Sequence, residues 1–146
     1  MHLGIVVVAP AGNTPTDVSN ISPASAALVI TAGALTRDSA RFGDSAFGPS
    51  VDLWAPGERI RSCWPTALVS LSGDATNTLW GTEGAGAFVA GAAALVLSQY
   101  PPDPNIATSG ITPEEVRAKL LNNALDGYLY DLGEGSLNKL LYVGRR

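Results

Sequence analysis

The residues with the clearest potential for chemistry lie in the segment Leu79–Ala92, which reads LWGTEGAGAFVAGA. One carboxylate, Glu83, stands where a turn of small residues becomes an apolar helix. The dipole of a helix favours an anion at this position by about 0.3–1 kcal/mol, so a carboxylate is stable there without a catalytic role. A carboxylate can also attack a carbonyl carbon, but nothing near Glu83 in the sequence suggests the acid or base that would drive that reaction.

Histidine and cysteine, the other residues that commonly carry chemistry, are scarce. The 146 residues contain one histidine, His2, and one cysteine, Cys63. A serine nucleophile needs a histidine base that is held by a carboxylate, and we expect His2, beside the chain end, to be a solvated residue. Cys63 can form neither an internal disulfide nor a zinc site alone, and we expect it to be a small hydrophobic residue in a strand.

Composition restricts the class of protein. The chain is 46% hydrophobic and 15% charged, with 16 glycines and 10 prolines, which is typical of a compact, turn-rich single domain spanning residues 1–146. A net charge of −4 and a pI near 4.7 argue against nucleic acid or an anionic membrane as the main partner. The apolar start, Leu3–Val8, is too short and lacks the basic residues of a signal peptide, so we predict a buried strand there.

The elements that must position Glu83 follow from hydrophobic patterning. Apolar, β-branched runs predict strands over Gly4–Ala9, Ala27–Ala34 and Ser50–Gly57, with a further one over Ala67–Gly73. The segment Gly86–Tyr100 is apolar all round, which predicts a helix buried in the middle of the domain and ended by the following prolines.

The most specific local signal lies in GITPEEVRAKLLNNA. Thr112 is predicted to be the N-cap, Pro113 the first helical residue and Glu115 the partner in a capping box. The apolar stripe of this outer amphipathic helix consists of Val116, Leu120 and Leu121. Strands followed by helices predict an α/β architecture, here a mainly parallel sheet with a buried central helix and an outer amphipathic helix.

Five segments, taken in chain order, resemble subtilisin-like serine proteases (the peptidase S8 family), specifically the proteinase K-like branch common in fungi. They are Val6–Asn13, Ser22–Ala34, Phe47–Gly57, Gly81–Leu95 and the closing stretch Ser136–Gly144. The resemblance spans nearly the whole chain but matches only the C-terminal half of the catalytic domain of that family. It implies a partial subtilisin-like fold.

The resemblance also implies where catalytic residues would lie. Members carry a Ser-His-Asp triad whose serine begins the central helix, and Glu83 stands at that nucleophile position in the motif Gly81–Phe88. The aspartate and histidine motifs lie upstream of anything in this chain. Asn13 matches the asparagine that donates to the oxyanion, a contribution of about 2.7–4 kcal/mol. Alternatively, Gly12 and Asn13 form only a turn, and in either case the Asn13 amide could bind the Glu83 carboxylate.

Two binding sites are implied in the same way. Pro10, Ala11 and Gly12 match one wall of the primary specificity pocket of the family, although small residues after a strand also simply permit tight packing. Asp52, with the backbone carbonyls of Ala27 and Val29, matches a calcium site of proteinase K relatives. The alternative is that Asp52 bonds nearby amides at a strand end. No other cofactor is expected.

Three functions remain open at this stage. The chain is a degenerate, inactive portion of a subtilisin-like serine endopeptidase, a stand-alone binding or regulatory protein that reuses the half-fold, or a peptidase with unrecognised chemistry, which Glu83 and the single histidine disfavour. A lone half-domain would expose an apolar helix and a free sheet edge. We therefore expect an upstream half-domain or another chain as partner, or self-association and aggregation. The resemblance implies a secreted, extracellular protein.

Overall fold

The computed structural model describes residues 4–65, 75–101 and 110–144. Within these ranges the apolar runs form parallel strands as predicted, although each strand begins later in the chain than its apolar run. The three neighbouring strands are β1 (Val7–Pro10), β2 (Val29–Leu35) and β3 (Leu53–Pro56). Val7 lies opposite Val29, and Ala32 lies opposite Leu53. The predicted burial of the first strand is wrong, because β1 lies at the edge of the described sheet and Val7 is 45% exposed. The predicted strand over Ala67–Gly73 lies outside the described residues.

Four further short strands did not stand out as apolar runs, because each mixes polar with apolar residues, although Cys63 was expected in a strand. β4 (Ile60–Cys63) and β5 (Thr76–Leu79) form a separate antiparallel pair. Two-residue strands, β6 (Leu125–Asp126) and β7 (Lys139–Leu140), complete the main sheet in the order β1-β2-β3-β7-β6. Only β6 runs antiparallel to its neighbour, so the main sheet is mainly parallel, as expected.

The central helix, α1 (Thr82–Ser98), begins earlier than its predicted start at Gly86. It packs across β1, β2 and β3 through small residues such as Ala85 and Val89, which are fully buried. Its opposite face is exposed, with Phe88 at 46% and Leu95 at 54%. The prediction that this helix is buried on all sides is therefore wrong, because only the face toward the sheet is buried. No helix in the described ranges is both long and apolar enough to cross a membrane.

The outer helix, α2 (Pro113–Asn123), has the predicted capping box. The backbone N–H of Thr112 donates to Glu115 Oε2 at 2.8 Å, and the Glu115 N–H donates to Thr112 Oγ1 at 3.2 Å. Hydrogen bonds from Thr112 to the carboxylate, first from its backbone N–H and then from its side chain, hold the pKa of the Glu115 carboxyl below its ordinary value. Val116 and Leu120 are buried against α1 and the sheet, which confirms the amphipathic pattern.

The sheet separates two apolar clusters, because alternate residues of each strand point to opposite faces. Ile30 and Leu53 face α1 and α2, whereas Leu35 and Trp54 face the loops on the other side. A Cβ added to Gly33 would lie 2.4 Å from the Trp54 ring, so this pair of neighbours requires glycine. The Trp54 indole N–H donates to the carbonyl of Leu137 at 2.9 Å, which ties the closing segment to the core.

Candidate functional site

The candidate site lies at the carboxyl ends of the parallel strands, where ligands of open α/β sheets usually bind. Three turns meet there: Gly12–Asn13 after β1, Gly57 after β3, and Gly81 at the start of α1. The Gly81 N–H donates to the carbonyl of Gly57 at 2.9 Å, and the Gly12 N–H donates to Thr82 Oγ1 at 3.1 Å. These backbone contacts bring Asn13 beside Glu83.

Asn13 joins the first turn of α1 through both ends of its amide. Its Oδ1 accepts from the Thr82 N–H at 2.8 Å and from the Thr82 hydroxyl at 3.0 Å. Its Nδ2 donates to both oxygens of Glu83, at 2.8 and 2.9 Å. The contact expected between Asn13 and Glu83 is therefore present. Asn13 also acts as an N-cap, because the residue at that position, Gly81, has no side chain to accept the free N–H groups of the helix.

Gly81 is required by the backbone of this junction. Its φ of 132° and ψ of 177° lie in a region that is essentially open to glycine alone. A Cβ there would lie 2.5 Å from Glu83 Oε2 and 2.9 Å from Asn13 Nδ2. The carboxylate and the amide thus fill the space beside Gly81, and a side chain at that position would separate them.

A groove of about 720 Å³ opens beside Glu83. Its described lining includes the apolar side chains of Ile60, Leu79, Trp80 and Phe88, and Trp80 is 54% exposed. The charged groups at its edge are Glu83 and Arg61. The described lining contains no histidine, so nothing described there could accept a proton from a serine hydroxyl as a triad base does.

The other residues singled out from the sequence lie elsewhere. Pro10 ends β1 and packs near Gly86, Ala11 is fully buried, and none of Pro10, Ala11 and Gly12 is among the described residues that line the groove. Their assignment to a pocket wall stays a prediction. Cys63 ends β4, which confirms the strand, but its side chain is exposed, so its predicted burial is wrong.

Asp52 lies at the amino end of β3, on the edge of the sheet opposite to Glu83. Ala27 lies in an exposed turn, and Val29 begins β2. The Asp52 carboxylate accepts from the Thr31 N–H at 2.8 Å and from Arg117 of α2. Its nearby partners are therefore an amide and a guanidinium.

Sequence reasoning missed Thr82 and Arg117 as members of these two networks. Thr82 is fully buried and stands next to Glu83, so its hydroxyl could have been noticed as a partner for a turn amide. Arg117 contacts a carboxylate 65 residues away, and no local pattern indicates that pair.

Comparison with known proteins agrees with this fold. The profile of the Subtilase family, Peptidase_S8, matches residues 1–142. The chain therefore belongs to the subtilase family.

Relatives show the same similarity across most of the chain. An extracellular serine proteinase from Thermus sp. (strain Rt41A) is 39% identical over 98% of this chain, and a subtilisin-like protease from Coccidioides posadasii (strain C735) is 40% identical over 97%. The crystal structure of a cold adapted subtilisin-like serine proteinase superposes with a TM-score of 0.79 at 34% identity, over 94% of this chain. This chain spans 32% and 31% of the two relatives and 44% of the solved chain.

Proposed function

We propose that this chain is the C-terminal portion of a degenerate subtilisin-like serine endopeptidase domain, of the proteinase K-like and fungal type, and that it does not hydrolyse peptide bonds by itself. The observation that carries the proposal is the Asn13–Glu83 pair at the start of α1. The motif around Glu83 matches the nucleophile motif of the family, with a carboxylate in place of the serine.

The chemistry of the pair supports inactivity. A tetrahedral intermediate is stabilised by donors that are free to reach its oxyanion. Asn13 Nδ2 instead donates to the two oxygens of Glu83, so the family's oxyanion donor is engaged by a resident anion. A carboxylate in this position cannot be activated by a histidine in the way that a serine hydroxyl is, even if a partner chain supplied one.

A fluorophosphonate probe tests the inactivity directly, because it labels only an activated serine. We expect no labelling of the chain and no hydrolysis of casein at micromolar protein. The matched variant Glu83→Ser should also remain unlabelled, since no described residue of the groove can serve as base. Labelling of the unmodified chain would refute the proposal.

We also propose that an upstream half-domain of the same fold covers the exposed side of this one. β1 has a neighbour on one side only among the described strands, and Val7 is 45% exposed there. The free face of α1 adds Phe88 and Leu95, and it carries no charge between Ala87 and Ser98. The chain spans about a third of its relatives, which leaves ample length in such proteins for a covering half.

Sedimentation of the isolated chain tests whether this exposed side is an interaction surface. We expect self-association that Leu95→Ser reduces, because Leu95 lies on the free face of α1. Leu28→Ser is the matched control, since Leu28 is exposed to a similar extent, at 53% against 54%, and lies in a turn. A monomeric chain that unfolds cooperatively would contradict the proposed covering half.

A second function, a binding protein that reuses the half-fold, is favoured by the groove beside Glu83. Its exposed aromatic rings, Trp80 and Phe88, adjoin a carboxylate, and this combination suits a peptide segment with a basic side chain. The tryptophan fluorescence of the chain should respond to a Leu-Lys-Leu peptide and not to Leu-Glu-Leu. Trp80→Phe should remove this response, and Glu83→Gln should weaken it. An equal response to both peptides would exclude recognition through Glu83.

A further inference from the structure

The Asp52 carboxylate is buried yet fully engaged by protein groups. Only 3% of the residue is exposed. Its Oδ2 accepts from the Thr31 N–H at 2.8 Å, and its own backbone N–H donates to the carbonyl of Thr31 at 2.9 Å. The two residues thus form a closed pair of bonds between β2 and the start of β3. The Thr31 hydroxyl extends this network to the carbonyl of Ala24 at 2.6 Å.

The other carboxylate oxygen faces a cation that the chain itself supplies. Arg117 donates from Nε to Asp52 Oδ1 at 3.1 Å, and its Nη2 donates to the same oxygen. The guanidinium is partly exposed, with 41% of the side chain accessible, while 4% of the Asp52 side chain is accessible. Arg117 therefore lies over the carboxylate from the solvent side and closes it off.

These residues do not fit a calcium ion. Calcium takes six to eight oxygen ligands from carboxylates, carbonyls and waters, and a carboxylate must offer it a free oxygen. Asp52 is the one carboxylate of the expected ligand set, and both of its oxygens are already engaged, Oδ2 by the Thr31 N–H and Oδ1 by Arg117. A calcium ion on Oδ1 would also have to displace a guanidinium of the same charge sign from the same oxygen.

We infer that Arg117 is the resident cation of this site, so that the guanidinium of α2 fills the role that the sequence resemblance assigned to calcium. Arg117 therefore balances the charge of Asp52 and also connects α2 to the sheet. A metal ion would join the β2 and β3 segments only, whereas Arg117 also attaches α2 to them. The folded state then depends on an intact arginine and is independent of calcium.

Thermal unfolding of the chain in EDTA and in 5 mM calcium chloride tests the inference. The Tm of the unmodified chain should agree within about 1 °C between the two buffers. Arg117→Ala should lower the Tm by about 5–10 °C, because it leaves a buried carboxylate unpaired. Arg117→Lys should lower it less, since it keeps the charge and loses the fork of donors.

The origin of the loss is tested by a double variant. If the loss comes from the unpaired charge, Asp52→Asn combined with Arg117→Ala should be more stable than Arg117→Ala alone. The matched control is Lys139→Ala, which removes an ion pair to Asp126, a carboxylate that is 69% exposed, and should shift the Tm by less than about 2 °C. A calcium-induced rise in the Tm of the unmodified chain that Asp52→Asn abolishes would overturn the inference. An Arg117→Ala variant with unchanged Tm would overturn it as well.

Discussion

Replacing Asn13 offers the sharpest test of how the start of α1 is held. Asn13→Ala removes the acceptor for the Thr82 N–H and hydroxyl and the donor to Glu83 in a single change. Loss of a cap costs about 1 kcal/mol, and leaving the buried Thr82 hydroxyl without its acceptor adds about 1 kcal/mol. We therefore expect the free energy of unfolding to fall by about 2 kcal/mol.

Asn13→Asp separates the two functions of the amide. An aspartate still accepts from Thr82, so the cap is kept, but its charge faces the Glu83 carboxylate. Two like charges about 4 Å apart repel by about 1 kcal/mol in a water-like medium, which is appropriate for this exposed pair. Glu83→Gln in the Asn13→Asp background should restore that loss, because the new amide can donate to the aspartate.

Urea denaturation followed by circular dichroism measures each of these changes. A double-mutant cycle of Asn13→Ala and Glu83→Ala should give a coupling of about 0.5–1.5 kcal/mol, which is typical of groups in one hydrogen-bond network. A coupling of zero, or a loss below about 0.5 kcal/mol for Asn13→Ala, would refute the reasoning that this network holds the helix start.

Four further substitutions test other features of the fold. Gly81→Ala should destabilise by about 1–3 kcal/mol in thermal unfolding, because only glycine suits its backbone, whereas Gly91→Ala, in an open helical position, should stabilise by up to about 1 kcal/mol. Trp54→Ala should cost about 3–5 kcal/mol in urea denaturation, since the ring is fully buried. Glu115→Ala should reduce the free energy of unfolding at pH 7. This difference from the unmodified chain should shrink as the pH falls below 4.5 and vanish below the lowered pKa of Glu115, because the carboxylate is then protonated. Thermal unfolding over a series of pH values would measure it. A loss that is independent of pH, or equal effects of the two glycine variants, would contradict these expectations.

Local signals in the sequence predicted local structure well. The capping box of α2 involves residues three apart, so the pattern in the sequence contains the whole interaction. The parallel strands were found because each contains an apolar, β-branched run, which is typical of a strand covered on both faces, although β1 is mostly exposed in this chain. Apart from the strand expected at Cys63, β4 and β5 escaped prediction because they mix polar with apolar residues and lie mostly exposed, so no apolar run marks them.

The start of α1 was only partly predicted. Glu83 was correctly expected at the mouth of the helix, but the apolar run that marks the helix begins only at Gly86, four residues after its observed start at Thr82. The cap that makes an earlier start stable comes from Asn13, which lies 69 residues before Thr82. The pairing of Arg117 with Asp52 was likewise not predictable from the sequence, because the burial of Asp52 depends on the assembled sheet.

The long reach of Asn13 has a consequence for kinetics. A contact between residues 69 positions apart forms only after the intervening strands have assembled, so it should be absent from the folding transition state. Changes at Asn13 should then leave the folding rate almost unchanged and accelerate unfolding. The bonds of Asn13 to Thr82 and Glu83 would therefore lower the unfolding rate and lengthen the lifetime of the folded chain, without changing the folding rate.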